Sequence, residues 1–188
     1  GSSCCGGRFN DAWWSSDGET WTAATEDAAF PGRTVHASVV FDGKMWVMGG
    51  NRSYTSGNEF SDVWSSTDGI TWMQETASAE FGPRYGHRAV VFDGKIWIIG
   101  GQDVAGSYGR SEVWQSTNGV AWTRVSEHAA FGGNANFQIT EFQGALWKTG
   151  GREDRVFRSE DGVNWTIEQE TAAFGDRQQH TTVVFDDK

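Results

Sequence analysis

An all-β chain made of four copies of one four-stranded antiparallel unit is what this sequence predicts, on three observations. The phrase "AVVFDGKIWIIGG" at 89–101 nearly recurs as "SVVFDGKMWVMGG" at 38–50. Glycine pairs recur at 6–7, 49–50, 100–101 and 150–151. Aromatics recur as Trp21, Trp72, Trp122 and Trp165, and again as Trp13, Trp64, Trp114 and Phe157. Repetition at a near-fixed period means that one supersecondary unit has been copied. Aligned on Phe41, Phe92, Phe142 and Phe185, the intervals are 51, 50 and 43 residues, and the short one loses its residues between Gly151 and Val156, where a loop absorbs the change.

Within a unit the elements follow in order. An apolar run, His36–Phe41, ends at the turn Asp42-Gly43; a second, Met45–Met48, ends at Gly49-Gly50. After a loop come Asp62–Ser66, the turn Asp68-Gly69 and a fourth strand at Thr71–Gln74. The Asp-Gly and Asn-Gly pairs at 17–18, 42–43, 68–69, 93–94, 118–119 and 161–162 are read as type I′ hairpin turns, whose two central positions need positive φ. The first two strands are apolar at consecutive positions, which predicts burial on both faces. Units fall at about 34–76, 85–126 and 135–171, with a further unit split between 1–25 and 178–188: three complete blades and a split one. Four strands in 40–50 residues, with a glycine pair and a tryptophan in each copy, describe the blade of a β-propeller.

"GPRYGHRAVVFDGKIWIIGG" followed by "SEVWQSTNGVAW" resembles a kelch repeat, with Arg and His ahead of the first strand, a double glycine after the second and spaced aromatics in the third and fourth. The turns "SSDGETW", "STDGITW", "STNGVAW" and "SEDGVNW" also resemble the Asp-box of sialidase-type propellers, one residue short. The blade count fits a closed four-bladed ring stitched by its termini. A fragment of a six- or seven-bladed kelch propeller, as the resemblance implies, fits as well. So does an engineered consensus protein, since 39–50 and 90–101 share 9 of 12 residues.

Composition narrows the partners. There are 25 acidic against 15 basic residues, a net charge of -10, and no Lys/Arg cluster able to track a phosphate backbone, so nucleic acid is excluded as an expected partner. No apolar run approaches a membrane span, and no charged-apolar-small leader opens the chain; a secreted or extracytoplasmic setting with its leader removed is favoured. Cys4 and Cys5 are adjacent, have no Cys-x-x-Cys partner, and read as ordinary small strand residues.

Strand parity sorts the loops. If the first strand rises from face A to face B, the Asp-Gly turns lie on face B. The long second–third loops return to face A, beside the lead-ins to the first strands. Face A therefore gathers Arg52 and Tyr54 from "NRSYTSGNEF", Tyr108 and Arg110 from "QDVAGSYGR", and from the lead-ins Arg33, His36, Arg84, Tyr85, His87, Asn134, Arg177 and His180. The Arg/His ring could bind an anion or a metal, but residues recurring copy after copy more often serve each blade's own structure.

No Ser-His-Asp constellation, phosphate loop or paired metal-ligand spacing is legible. The expected function is a non-catalytic binding or scaffold module presenting face A loops to a protein or glycan, with no cofactor and no metal. Two alternatives stand beside it: an enzyme propeller of the sialidase or galactose-oxidase kind, whole or fragmentary, and a structural or engineered assembly unit without ligand. A monomer is expected, or a dimer if the ring closes between chains.

Overall fold

A computed structural model describes residues 7–53, 57–103, 109–133, 135–151 and 153–186, and among them no helix occurs. The chain runs β1 (Ala12–Trp14), β2 (Thr22–Thr25), β3 (Ala37–Phe41), β4 (Lys44–Met48), β5 (Val63–Ser66), β6 (Met73–Thr76), β7 (Arg88–Phe92), β8 (Lys95–Ile99), β9 (Val113–Ser116), β10 (Thr123–Ser126), β11 (Gln138–Phe142), β12 (Ala145–Thr149), β13 (Val156–Ser159) and β14 (Thr166–Gln169). Three four-stranded antiparallel sheets, β3–β6, β7–β10 and β11–β14, are the complete blades, and β1–β2 form a two-stranded sheet. Each third–fourth hairpin carries a register shift at the same point, Val63/Trp64, Arg124/Ser126, Val156/Phe157 and Ala12/Trp13. Such a bulge adds local twist to the outer edge of a blade. Of the split unit, the third- and fourth-strand positions are β1 and β2. Residues 2–5, with Cys4 and Cys5, lie outside the described residues. The C-terminal segment runs beside β11, where Gln138 donates to the His180 carbonyl and Thr140 meets Thr182.

Inner hairpins close as type I′ turns: Asp42 and Gly43 have φ of 49° and 70°, Asp93 and Gly94 49° and 66°, and Gln143 and Gly144 52° and 72°. The outer turns do not. At Asp68-Gly69 only the glycine has positive φ, and the turn is built on a carboxylate. Asp68 Oδ1 accepts from Ile70 N at 2.8 Å and Thr71 N at 2.7 Å, and Ser66 Oγ accepts from Gly69 N at 2.8 Å. Those backbone donors, Thr71 first, hold the Asp68 carboxyl down at about 2. The same pattern surrounds Asp17, Asn118 and Asp161. A serine two residues before the acid is what diverts these turns from type I′. The longer turn also moves the fourth strand two residues on, so Trp72 precedes β6 and its Nε1 donates to the Gly69 carbonyl at 3.1 Å.

Blades pack through two aromatic devices. The lead-in phenylalanines Phe30, Phe81 and Phe131 meet Trp72, Trp122 and Trp165 edge-on at 5.0, 5.2 and 5.3 Å. Each second-strand tryptophan donates back to its own hairpin, Trp46 to the Phe41 carbonyl and Trp97 to that of Phe92. The rings of these tryptophans slide beneath Gly119 and Gly162 of the next blade, where a Cβ would fall 2.4 and 2.6 Å from them. The second strands β4 and β8 are accordingly buried. The first strands are only half-buried, contrary to the expectation of burial on both faces; β7 lies against β3 and β11. Nor is the whole aromatic series core, since Trp13 and Trp21 are exposed.

A backbone chain crosses the blades just ahead of the first strands: Gly86 N donates to Val35 O, Asn136 N to Gly86 O, and Gln179 N to Asn136 O, at 3.0, 3.3 and 3.0 Å. All four residues are left-handed, with φ of 54° at Val35, 66° at Gly86, 63° at Asn136 and 56° at Gln179. For a β-branched residue that conformation is strained by about 1–3 kcal/mol. Val35→Gly relieves it, less the added freedom of the unfolded chain, about 0.4–1 kcal/mol. The variant should gain about 1 kcal/mol in urea denaturation; a loss would mean that the Val35 side chain packs well enough to outweigh the strain.

Candidate functional site

Face A is organised by the lead-ins and the second–third loops, which meet backbone to backbone. Thr34 and Asn51 exchange both N–H···O bonds at 3.0 Å, and Tyr85 and Gln102 do the same at 3.0 and 2.9 Å. The glycine pairs allow this approach. Gly50 has φ of 93°, and a Cβ there would lie 2.8 Å from both the His36 Cβ and the Thr34 carbonyl.

Beneath this layer each complete blade buries one cation. Arg33, fully buried, clamps Asp62 with two bonds of 2.7 and 2.9 Å, donates to the Gly49 carbonyl at 2.9 Å, and lies 4.4 Å from the Phe60 ring centre. Arg84, also fully buried, donates to the Gly100 carbonyl and to Glu112, both at 2.9 Å, and to the Phe81 carbonyl. Burial, with Arg110 nearby, lowers the Arg84 pKa to about 10, while Glu112 and Asp103 oppose the shift. Arg110 bonds Asp103 at 2.6 Å and reaches Glu112 at 3.8 Å, so Arg84, Glu112, Arg110 and Asp103 alternate in sign across the second blade.

The third blade has Asn134, outside the described residues, at the arginine position. There the cation comes from Lys148 on β12, fully buried among Phe131, Phe137 and Phe157, donating to the Gly150 carbonyl at 2.7 Å and to Glu153. Sequence reading missed Lys148. The signal was a lysine in "LWKT" where the other copies have Val47 and Ile98, in the same unit that lacks the arginine.

The histidines pack between blades. A Cβ on Gly49 would lie 2.8 Å from the His87 ring, and one on Gly150 2.5 Å from that of His180. His87 is fully buried and neither ring nitrogen has a protein partner; His36 Nδ1, His180 Nδ1 and the Asn51 amide are also buried without one. His180 Nε2 pairs with the Thr149 hydroxyl at 3.1 Å. Burial, then Arg33, lowers the His36 pKa to about 4; burial and Arg84 push His87 well down, and burial and Arg88 lower His180. Phe137, fully buried, fills this position in the third blade.

Of the other expected site residues, Tyr85 is buried, Arg52 is exposed, and Arg177 is exposed with Nε donating to the Phe174 carbonyl at 2.8 Å. Tyr54 and Tyr108 lie outside the described residues. Among the described residues no group of three or more His, Cys, Asp and Glu is gathered as a metal would require.

Sheets of four antiparallel strands, turned about a shared centre and sealed by aromatics, define a β-propeller. The second blade carries the kelch pattern: residues 83–120, which take in β7, β8 and β9, match the Kelch motif. The solved structure of YjhT is similar in fold, with a TM-score of 0.67 at 18% identity, over 82% of this chain and 56% of that one. The chain thus spans little more than half of the length of YjhT. No curated protein matches it in sequence.

Two outcomes follow from the buried groups. Lys148→Ala leaves Glu153 and the Gly150 carbonyl without their cation and should cost about 3–5 kcal/mol in chemical denaturation; a cost below about 1 kcal/mol would show that solvent replaces the ammonium. The histidines make the fold acid-labile. Their folded pKa values lie below the unfolded one, so the unfolded state takes up protons first as pH falls. Stability is complete above pH 6.5 and declines toward pH 4, by up to about 3 kcal/mol for His36. His36→Phe, the residue the third blade already uses here, should flatten that decline, as read from denaturation midpoints across the window.

Proposed function

We propose that this propeller is a non-catalytic binding module whose face A loops engage a protein or glycan partner. The observation that carries the reading is a division of labour on that face. The arginines that a carboxylate-clamping enzyme would aim at its substrate are spent: Arg33 and Arg84 are fully buried, each bonded to a glycine carbonyl and an acid of its own blade. What differs between blades is the sequence of the second–third loops. Arg52 is exposed, and Arg110, partly buried, is paired with Asp103 at 2.6 Å and Glu112 at 3.8 Å. Variable loops on a rigid scaffold are where recognition concentrates. Aromatic and arginine side chains supply most of the energy in such contacts, which makes Tyr54, Tyr108, Arg52 and Arg110 the expected anchors.

A glycan array and an affinity pull-down, run with the wild-type chain and the Tyr54→Ala/Tyr108→Ala variant, test the proposal and separate the two partner classes. The variant should keep its circular dichroism and lose binding by tenfold or more, about 1.4 kcal/mol. Binding that survives it, and is abolished by changing Asp68 and Asp161 in the face B turns, would overturn the choice of face.

A further inference from the structure

Two asparagines, Asn51 and Asn164, are followed two residues on by a hydroxyl residue, Ser53 and Thr166, with Arg52 and Trp165 between. Asn-x-Ser/Thr without a central proline is the pattern that receives N-linked sugar, and on a folded protein it can be used only where the amide stands at the surface. The fold treats the two copies of the pattern in opposite ways. Asn51 is fully buried, and its backbone N–H and carbonyl both bond to Thr34 at 3.0 Å. A sugar on the Asn51 amide would hold that residue away from the lead-in and keep the first blade open.

Asn164 is exposed, on the third–fourth turn of the third blade. With Thr166 it lines an open cleft of about 350 Å³, whose other walls are Arg158, Ser159, Glu160 and Asp161. Trp165 between them is only 6% exposed and meets Phe131 edge-on at 5.3 Å. The amide and the hydroxyl therefore stand on one side of the turn while the indole stays in the core.

The turn itself has no need of asparagine at this position. Its structural bond, from the backbone N–H to Oδ1 of the turn acid or amide, is made equally by Thr20, Thr71 and Ala121 in the other copies, at 2.8, 2.7 and 3.0 Å, and by Asn164 at 2.7 Å. The Asn164 side chain adds one bond of its own, Nδ2 donating to Asp161 Oδ2 at 2.7 Å. Among the described residues its second amide proton meets no hydrogen-bond acceptor.

The geometry points to Asn164 as an N-glycosylation site of the folded protein, with Asn51 withheld by burial. The donor is a sugar activated at C1 as a nucleotide or lipid diphosphate. Asn164 Nδ2 forms the bond to C1 as the bond from C1 to the diphosphate oxygen breaks; the diphosphate leaves with the electron pair, and the free amide proton passes to a base of the transferase. The proton that remains on Nδ2 is the one bonded to Asp161, so the turn keeps its contact. A glycan there stands on face B and leaves the loops of face A clear.

The folded 188-residue chain is incubated with a nucleotide-activated hexose and a soluble N-glycosyltransferase that modifies a peptide of residues 160–170, and the product is read by intact mass and peptide mapping. One hexose per chain, on Asn164, is expected, with Asn51 unmodified and the melting temperature unchanged. Asn164→Gln should carry none. Thr166→Val keeps Asn164 and its bond to Asp161 but lacks the hydroxyl that the pattern requires, so its rate should fall by about tenfold or more. Circular dichroism confirms the fold of both variants. A folded wild-type chain without sugar on Asn164 overturns the assignment, as does sugar on Asn51 or a Thr166→Val rate equal to that of the wild type.

Discussion

The structure depends on a buried cation bonded to the carbonyl of the first glycine of the pair in each complete blade, Gly49, Gly100 and Gly150. That glycine ends the second strand in left-handed conformation, where its carbonyl leaves the sheet ladder and points into the protein. A buried carbonyl without a donor costs about 1–3 kcal/mol, and a charged donor without an acid beside it costs more. Arg33 with Asp62, Arg84 with Glu112, and Lys148 with Glu153 resolve both problems together. Arg33 and Arg84 tie the lead-in to the start of the third strand, 29 and 28 residues on, whereas Lys148 ties the second strand to the loop that follows it. The phenylalanines around each cation keep water from competing for it.

This placement makes the two faces unlike. Face B turns are self-contained, because a serine and an acid or amide within the turn satisfy its own backbone donors. They vary little and hold their shape without help from other blades. Face A is held from below by the cations and from the sides by lead-in carbonyls, such as that of Arg84, which accepts from Gly50 N of the preceding blade at 2.9 Å. The second–third loops join that floor through their first residues, Asn51 and Gln102, which pair with the lead-ins. Beyond those residues the loops differ in sequence between copies, which is why they carry the proposed recognition surface.

The fold was legible because the repeat supplies its own alignment: Phe41, Phe92 and Phe142 mark the inner hairpin end in three copies, and the structure has strands ending at all three. Turn geometry was less legible. Asp42-Gly43 and Asp68-Gly69 are the same dipeptide, yet the first takes positive φ at both residues and the second at the glycine alone, because Ser66 offers a competing acceptor. The arginines and histidines of face A were legible as per-blade features, and Arg33, Arg84 and His87 are indeed buried there. Lys148 escaped notice because reading by position compares like with like. Its cation is equivalent in space to the arginines but arrives from a different strand.

Burial in a repeat array is a property of the neighbour as much as of the residue. Blades contact only the blades beside them, so stability resides in the junctions and a terminal face retains whatever its missing neighbour would cover. Trp21 and Trp72 are the same residue type on the same turn, each with Nε1 donating to its turn glycine carbonyl, Gly18 and Gly69. They differ only in whether a lead-in phenylalanine covers them. Local sequence determines the turn and the indole's hydrogen bond in both cases. Whether the indole then becomes core or contact surface is decided one blade away, so a prediction of core residues from a single repeat holds for inner copies and fails at the end ones.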